Sequence, residues 1–171
     1  MTQTPVTAAP PVLPDAPPAR RACLFALAGT RFAVDVRSAR EVVLFDEITA
    51  VPRAPRHVVG VANLRGTVMP IVDARGLLGL PESRLGRSLR TLVVRDGAIQ
   101  AAMVVDTVLG LEPLEDVVAT DSPTTASMRG PRPLMAGWIR WNGETLALLD
   151  VPKILGSLVI STPAVAQEAS A

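Results

Sequence analysis

The stretch GVANLRGTVMPIVDARGLLG, residues 60–79, returns in altered form at residues 137–156 as GWIRWNGETLALLDVPKILG. The two align without a gap, and the shared positions are Gly60 with Gly137, Gly66 with Gly143, Asp73 with Asp150, Leu78 with Leu155 and Gly79 with Gly156. Each copy predicts an apolar strand, a Gly turn, a second apolar strand, an Asp and a short helix closed by Gly. Weaker hairpin-like echoes lie at Cys23–Val36 and Leu92–Asp106. The sequence therefore predicts two copies of one small β unit, and a seam between such units is a natural binding site.

Apolar runs bounded by Gly, Pro or polar residues predict eight strands. They are Ala22–Leu27, Arg31–Val36, Val58–Leu64, Thr67–Val72, Leu89–Arg95, Ile99–Val105, Met135–Arg140 and Thr145–Leu149. We expect Thr30, Gly66, Gly97 and Gly143 to supply the hairpin turns. Short strands with Gly turns favour two small closed β-barrels, because closure removes the exposed edges of a sheet.

Three segments between the strands have their own patterns. Val36–Val43 carries apolar residues at helical spacing, which predicts a short helix or a turn. The Pro-bracketed VPRAP, Val51–Pro55, predicts a rigid loop that cannot continue a strand ladder. Leu111–Pro133 is rich in Pro and polar residues, which predicts a long surface connection.

The two ends of the chain differ in composition from its middle. Residues 1–19 hold six prolines and lack the apolar core and positive start of a signal peptide. Residues 161–171 are small and mostly polar. We predict a disordered Pro-rich leader at 1–19, a two-barrel domain at 20–160 and a disordered tail at 161–171. No stretch approaches the roughly 18 to 20 apolar residues of a membrane span, so a cytoplasmic protein is expected.

Composition disfavours several classes of function. The formal net charge is +1 over 171 residues, and the basic residues are scattered rather than clustered. Aromatic residues make up 3% of the chain, so stacking platforms for nucleic acid are scarce. The single cysteine, Cys23, lies in an apolar run and is expected to be a buried small hydrophobe.

No catalytic or metal-binding set is evident. His57 is the only histidine, which excludes a His cluster or a Ser–His–Asp triad within one chain. Carboxylates follow strands at Asp35, Asp73, Asp106 and Asp150, where a pair is able in principle to do acid–base work. For Asp73 and Asp150 the favoured alternative is capping of the short helix that follows each of them.

Arg65 stands out in the first repeat. It lies in a hairpin turn beside Gly66, and the second repeat has Asn142 at the same place. The turn itself therefore does not require Arg. A guanidinium offers five donors in a rigid fork, which suits either a partner contact or a structural ion pair. The residues alone leave these two interpretations open.

The motif VPRAPRHVVGVANLRGTVMPIVDARGLLGL, residues 51–80, resembles the central motif of the CheW family, the adaptors of bacterial chemosensory arrays. The matching features are Pro52 and Pro55, Gly60, Asn63 to Gly66, Pro70 to Asp73, and the segment from Ala74 to Leu80. The resemblance extends over roughly residues 21 to 157. It implies an all-β fold of two packed SH3-like five-stranded barrels with short helices.

The resemblance also implies a function without catalysis, cofactor or metal. The protein is expected to join the cytoplasmic tip of chemoreceptors to the regulatory domain of a CheA-type histidine kinase, and to pack with other CheW-like domains in rings. It would lie in the cytoplasm at receptor arrays, without inserting into the membrane or binding nucleic acid. The positions that the resemblance assigns to partner binding are Val36, Ala39, Glu41, Gly60, Asn63, Arg65, Val104 and Val105. The alternatives are a small β-barrel nucleic-acid-binding protein and a small hydrolase using strand-end carboxylates.

Overall fold

The computed structural model describes residues 20–114, 117–119 and 132–160, and these form ten strands and one α-helix. The predicted leader and tail lie outside the described residues. The strands are β1 (Arg21–Leu27), β2 (Thr30–Asp35), β3 (Ala39–Phe45), β4 (Val58–Leu64), β5 (Thr67–Val72), β6 (Leu89–Asp96), β7 (Ile99–Val104), β8 (Thr107–Pro113), β9 (Met135–Trp141) and β10 (Glu144–Leu149). The helix is α1 (Val151–Ile160), and a 3₁₀ turn at Arg132–Leu134 precedes β9.

The strands form two five-stranded sheets that curl into barrel-like halves. The first sheet has the order β8-β1-β2-β10-β9, and the second has the order β3-β6-β7-β5-β4. Neighbouring strands are antiparallel except for the pairs β2 with β10 and β5 with β7, which are parallel. The prediction of an all-β fold with two packed five-stranded units is confirmed.

The two halves of the sequence exchange strands. The first half supplies β1 and β2 to the first sheet, but β3, β4 and β5 to the second. The second half does the reverse, since β6 and β7 join the second sheet while β8, β9 and β10 join the first. The two halves of the chain therefore do not form one barrel each, although the order of the repeats along the chain suggested that they would. Each barrel needs strands from both halves, so the two are expected to fold together.

Each barrel is closed by a backbone bridge beside a repeated glycine. Thr49, which follows β3, exchanges two hydrogen bonds of 2.8 Å with Val61 of β4. Val118, which follows β8, makes the same exchange with Trp138 of β9. A Cβ atom at Gly60 would lie 2.5 Å from the carbonyl oxygen of Thr49, and one at Gly137 would lie 2.7 Å from that of Val118. The repeated glycines therefore allow the closing segments to lie close against β4 and β9.

A shared core fills the space between the sheets. The largest buried cluster includes Phe25 and Val34 from the first sheet, Met103 from the second, and Leu155 from α1. Cys23 belongs to the same cluster, as its apolar surroundings predicted. The two sheets are thus joined by one hydrophobic core and not by a solvated contact.

Three predictions about elements were wrong in part. Val36–Val43 begins as a turn, but Ala39–Phe45 is the strand β3, because its β-branched residues pair with β6. The connection predicted over Leu111–Pro133 includes the end of β8, and its residues 115–116 and 120–131 lie outside the described ranges. The first hairpin turns at Ala28 and Gly29, while Thr30 already belongs to β2.

The segments after Asp73 and Asp150 also differ from each other. Arg75–Gly79 forms one helical turn, which ends where Gly79 takes a φ of +68° and Leu80 N–H donates to the Arg75 carbonyl. The second segment is α1, which continues through Gly156 to Ile160. Only the second repeat therefore has the predicted helix, and that helix does not stop at its glycine.

Candidate protein-binding surface

The seam between the sheets is lined by different residues than predicted. Val36 and Ala39 are half-buried and pack against the shared core, which places them at the seam margin. Val104 and Val105 are each 3% exposed. Both are core residues in this structure, and their assignment to partner contact stays a prediction. Val108 of β8 is half-buried and packs against the shared core beside Val36 and Ala39.

The two edge strands next to the seam expose apolar side chains. β3 is the edge of the second sheet and β8 the edge of the first, and they occupy equivalent places in the two halves. Val42 and Leu44 of β3 are exposed, as are Leu109 and Leu111 of β8. Exposed apolar residues on an edge strand mark a surface suited to another protein. Apolar and other residues alternate in TVLGLEP, and this pattern indicates the strand β8. The prediction of a loop relied on the prolines and missed it.

Arg65 and Glu41 form a two-pronged ion pair. Arg65 Nη1 donates to Glu41 Oε1 at 2.9 Å, and Nη2 donates to Oε2 at 2.8 Å. The pair joins the β4–β5 turn to β3. The Arg65 side chain is nevertheless 75% exposed and that of Glu41 33%, so the pair contributes at most about 1 kcal/mol to stability. The two interpretations of Arg65 are therefore compatible, since the ion pair lies on an accessible surface.

The backbone at Arg65 is unfavourable for an Arg residue. Arg65 has a φ of +51° and Gly66 a φ of +88°, which is the geometry of a two-residue hairpin turn. Asn142 has a φ of +47° in the equivalent turn, and Asn tolerates this region better than Arg does. Asn63 Oδ1 accepts a 2.7 Å hydrogen bond from Gly66 N–H, which supports the turn. Arg65 therefore occupies a turn position for which Asn is the better suited residue.

Gly60 and Asn63, two of the predicted partner positions, have structural contacts. Gly60 is buried where the second barrel closes, and no side chain fits there. Asn63 is exposed, but its amide oxygen is used by the turn. Their contacts explain their presence in the motif without a partner.

Charged residues mark the point where the chain crosses from β2 to β3. Asp35 accepts hydrogen bonds from Arg20 at 2.7 Å and from Arg37 at 3.0 Å. Partial burial acts to raise the pKa of Asp35, but hydrogen bonds from Arg37 and Arg20 outweigh it and lower the pKa to about 2. The carboxylate is therefore ionised at neutral pH and fixes the crossover beside Val36.

The other strand-end carboxylates also have structural partners. Arg75 is 4% exposed, and its guanidinium donates to Asp73 at 3.0 Å and to Asp106 at 2.6 Å. Asp150 Oδ1 accepts the Lys153 N–H at 3.0 Å, which is an N-cap of α1, as predicted. Asp73 bonds the Arg75 N–H, yet only a single turn follows it, so its role as a helix cap was wrong.

The described residues give little support to the other classes of function. They contain no group of three or more His, Cys, Asp or Glu side chains placed to hold a metal ion. Trp138 is buried, and Trp141 lies under the Arg31 guanidinium at 5.6 Å, so neither offers an open stacking face. No helix within these ranges has the length and hydropathy needed to cross a membrane.

Fold and surface together define a class: a double-barrel β protein with exposed apolar residues on its edge strands and an exposed ion pair. Residues 21–159 match the family model of the CheW-like domain, and the chain belongs to that family of chemotaxis scaffold proteins.

Individual relatives agree with this assignment. The chain is 31% identical to Protein FrzA of Myxococcus xanthus over 77% of its own length and 82% of that protein. It is 27% identical to the chemotaxis protein CheW of Rhizobium meliloti over 81% of this chain and 88% of that one. The crystal structure of the scaffolding protein TtCheW from Thermoanaerobacter tengcongensis matches its fold with a TM-score of 0.66 at 23% identity, covering 77% of this chain and 88% of that chain.

Proposed function

We propose that the protein couples chemoreceptors to a CheA-type histidine kinase as a scaffold without catalytic activity. The observation that carries this proposal is the exposed Arg65–Glu41 pair, held on a turn whose copy in the second repeat has Asn142. An ion pair of this exposure does little for stability. Its fork geometry instead suits recognition of a partner surface, which we assign to the kinase regulatory domain.

The receptor is assigned to the seam. Val36, Ala39 and Val108 form a half-buried apolar margin there, and a helix lays its apolar face into such a groove in a recurring mode of recognition. The small side chain of Ala39 allows a helix backbone to approach closely. We expect an interface of modest area, and therefore weak binding that becomes firm when many copies act together.

The equivalent edges β3 and β8 suit assembly with other CheW-like domains. They are two different surfaces at equivalent places on opposite halves of the fold, and each exposes apolar residues. Contacts that join unlike surfaces head to tail generate rings when the rotation closes. Such rings would place the protein in the cytoplasm at receptor arrays, held there by its partners and using no cofactor.

Two substitutions separate the two assignments. Ala39→Trp fills the seam margin, so it should abolish binding of a purified receptor tip fragment while kinase binding persists. Arg65→Glu reverses the charge on the turn, so it should abolish kinase activation while receptor binding persists. Binding is measured by co-sedimentation and kinase activity by phosphate transfer in a reconstituted assembly.

Matched controls place bulk or charge elsewhere. Thr145→Trp adds a large side chain at an exposed residue near the start of β10, and Asn142→Glu adds a carboxylate at the equivalent turn. Both should bind both partners. Loss of receptor binding in Thr145→Trp but not in Ala39→Trp would contradict the seam assignment, provided that circular dichroism shows both variants folded.

A further inference from the structure

Strand β8 contains a β-bulge beside the seam. Its Gly110 pairs with Leu24 of β1. Phe25, the next residue of β1, pairs with Val108, so Leu109 is an extra residue in the ladder. Gly110 has a φ of +148°, a conformation that favours glycine. An unbroken ladder would instead place Leu109 opposite Phe25, so the bulge decides which of two apolar side chains lies at the seam margin.

The equivalent strand of the second sheet has the same feature with a different residue. β3 has its bulge directly after Ala39, and the extra residue is the exposed Arg40. Arg40 cannot replace Ala39 in an apolar margin without burying a charge, so the residue pattern itself specifies that register. In β8 the extra residue is Leu109, which is as apolar as Val108. The register of β8 therefore needs another source of specificity.

Asp106, which immediately precedes β8, ties the start of this strand to both sheets. Its Oδ2 accepts the Ala28 N–H at 2.6 Å, and its own N–H donates to the Ala26 carbonyl at 2.9 Å. From the side of the second sheet, Arg75 donates to its Oδ1 at 2.6 Å, and Arg90 donates to its carbonyl oxygen at 2.7 Å. These four hydrogen bonds fix the position from which the bulged strand starts.

We propose that Asp106 is a positioning residue that holds the bulged register of β8 and so places Val108, not Leu109, at the seam margin. A shift by one residue would move its carboxylate by about 3.4 Å, too far for its bond to the β1–β2 turn. β8 is an edge strand of the described sheet, so its ladder with β1 alone resists such a shift. The proposal deepens the seam assignment made above, and the receptor-binding part of its test rests on that assignment.

Cross-strand nuclear Overhauser contacts in the full-length protein test the register. In the unchanged protein, the backbone of Phe25 should contact that of Val108. Asp106→Ala removes the carboxylate, so Phe25 should contact Leu109 instead. Asp106→Asn keeps an acceptor for the β1–β2 turn but has no charge for Arg75, and it should show both contacts.

Two further variants distinguish a change of register from a loss of stability. Asp73→Ala is the matched control, because it also takes one carboxylate from the buried Arg75 but leaves the bond between Asp106 and the β1–β2 turn. It should keep the contact of the unchanged protein. Deleting Leu109 removes the extra residue, so Asp106→Ala combined with this deletion should restore the contact with Val108.

Binding of a purified receptor tip fragment gives the functional readout. Leu109 is larger than Val108 and overpacks the seam margin, so Asp106→Ala should weaken binding about tenfold. Deleting Leu109 in that variant should restore binding. Kinase binding, which is assigned to the Arg65 turn, should be unchanged in all of these variants.

Two results would overturn the proposal. One is contact of Phe25 with Val108 alone in every folded Asp106 variant. The other is the same shifted contact in Asp73→Ala as in Asp106→Ala, because a general loss of stability would then explain it. If the unchanged protein does not bind the receptor fragment, the seam assignment fails, and the register measurement still decides for or against Asp106.

Discussion

The β4–β5 hairpin and the β9–β10 hairpin occupy equivalent places in the two sheets, yet they differ at the turn. Both have a glycine in the first strand that lies under a closing backbone segment, and both have a two-residue turn with positive φ. The first hairpin has Arg65 at the turn and pairs it with Glu41, whereas the second has Asn142. Residues that the hairpins share are thus explained by the fold, and the residue that differs needs another explanation.

The segments after the hairpins differ in the same way. Asp150 caps a helix of ten residues, while Asp73 joins Asp106 in neutralising the buried Arg75. One repeated carboxylate therefore serves two purposes, because the chain after it follows two paths. Identity between repeats indicates a shared position, and the neighbouring residues decide what that position does.

The largest loss of stability is expected at the shared glycines. Gly60→Ala and Gly137→Ala each force a Cβ against a carbonyl oxygen of the closing segment, so each should lower the free energy of unfolding by about 3 kcal/mol. Gly76→Ala is the control, because it has open space and no positive φ. Urea denaturation measures all three. Equal midpoints for Gly76→Ala and Gly60→Ala would show that the closing segment is not fixed.

The repeated carboxylates should respond unequally. Asp73→Ala leaves the buried Arg75 with one carboxylate in place of two, so we expect a loss of about 2 kcal/mol. Asp150→Ala removes only a helix cap, for which about 1 kcal/mol is typical. The same denaturation experiment compares them. A larger loss for Asp150→Ala than for Asp73→Ala would contradict the different roles.

The two crossovers between the sheets should differ in their response to acid. The first crossover, from β2 to β3, follows Asp35. The second runs from β7 to β8, and the register of β2 and β7 places Val104 at the position equivalent to Asp35. The pKa of Asp35 is lowered from 3.8 to about 2, so its contribution is complete above about pH 5 and is lost as the pH falls through 2. Asp35→Asn should thus cost about 2 kcal/mol at pH 7 and progressively less toward pH 2. A cost independent of pH would contradict the ionic role.

Much of the fold could be predicted from local patterns. The gapless repeat located both hairpins, and alternation with Gly turns located eight of the strands because those signals lie within a few residues. β3 was hidden, since Val36, Ala39 and Val43 also fit helical spacing. The exchange of strands between halves was hidden as well, because pairing of β2 with β10 depends on residues more than a hundred positions apart.

The candidate site could also be predicted only in part, because contacts between distant residues again decide the rest. The mismatch between Arg65 and Asn142 identified the unusual turn, but its partner Glu41 lies on a strand that had been predicted as a helix or turn. Val104 and Val105 looked suitable for a seam by their apolar character, and only burial distinguishes them from Val108. Burial is set by the packing of both sheets, which no local pattern contains.

The central claim is that Arg65 is present for coupling rather than for folding, and Arg65→Asn tests it most directly. This change gives the first hairpin the residue of the second, and Asn suits a φ of +51° better than Arg. We expect a free energy of unfolding within about 0.5 kcal/mol of the unchanged protein, since an exposed ion pair contributes little. Kinase activation in a reconstituted receptor–kinase assembly should be lost. Full activation by Arg65→Asn at unchanged stability would contradict the account.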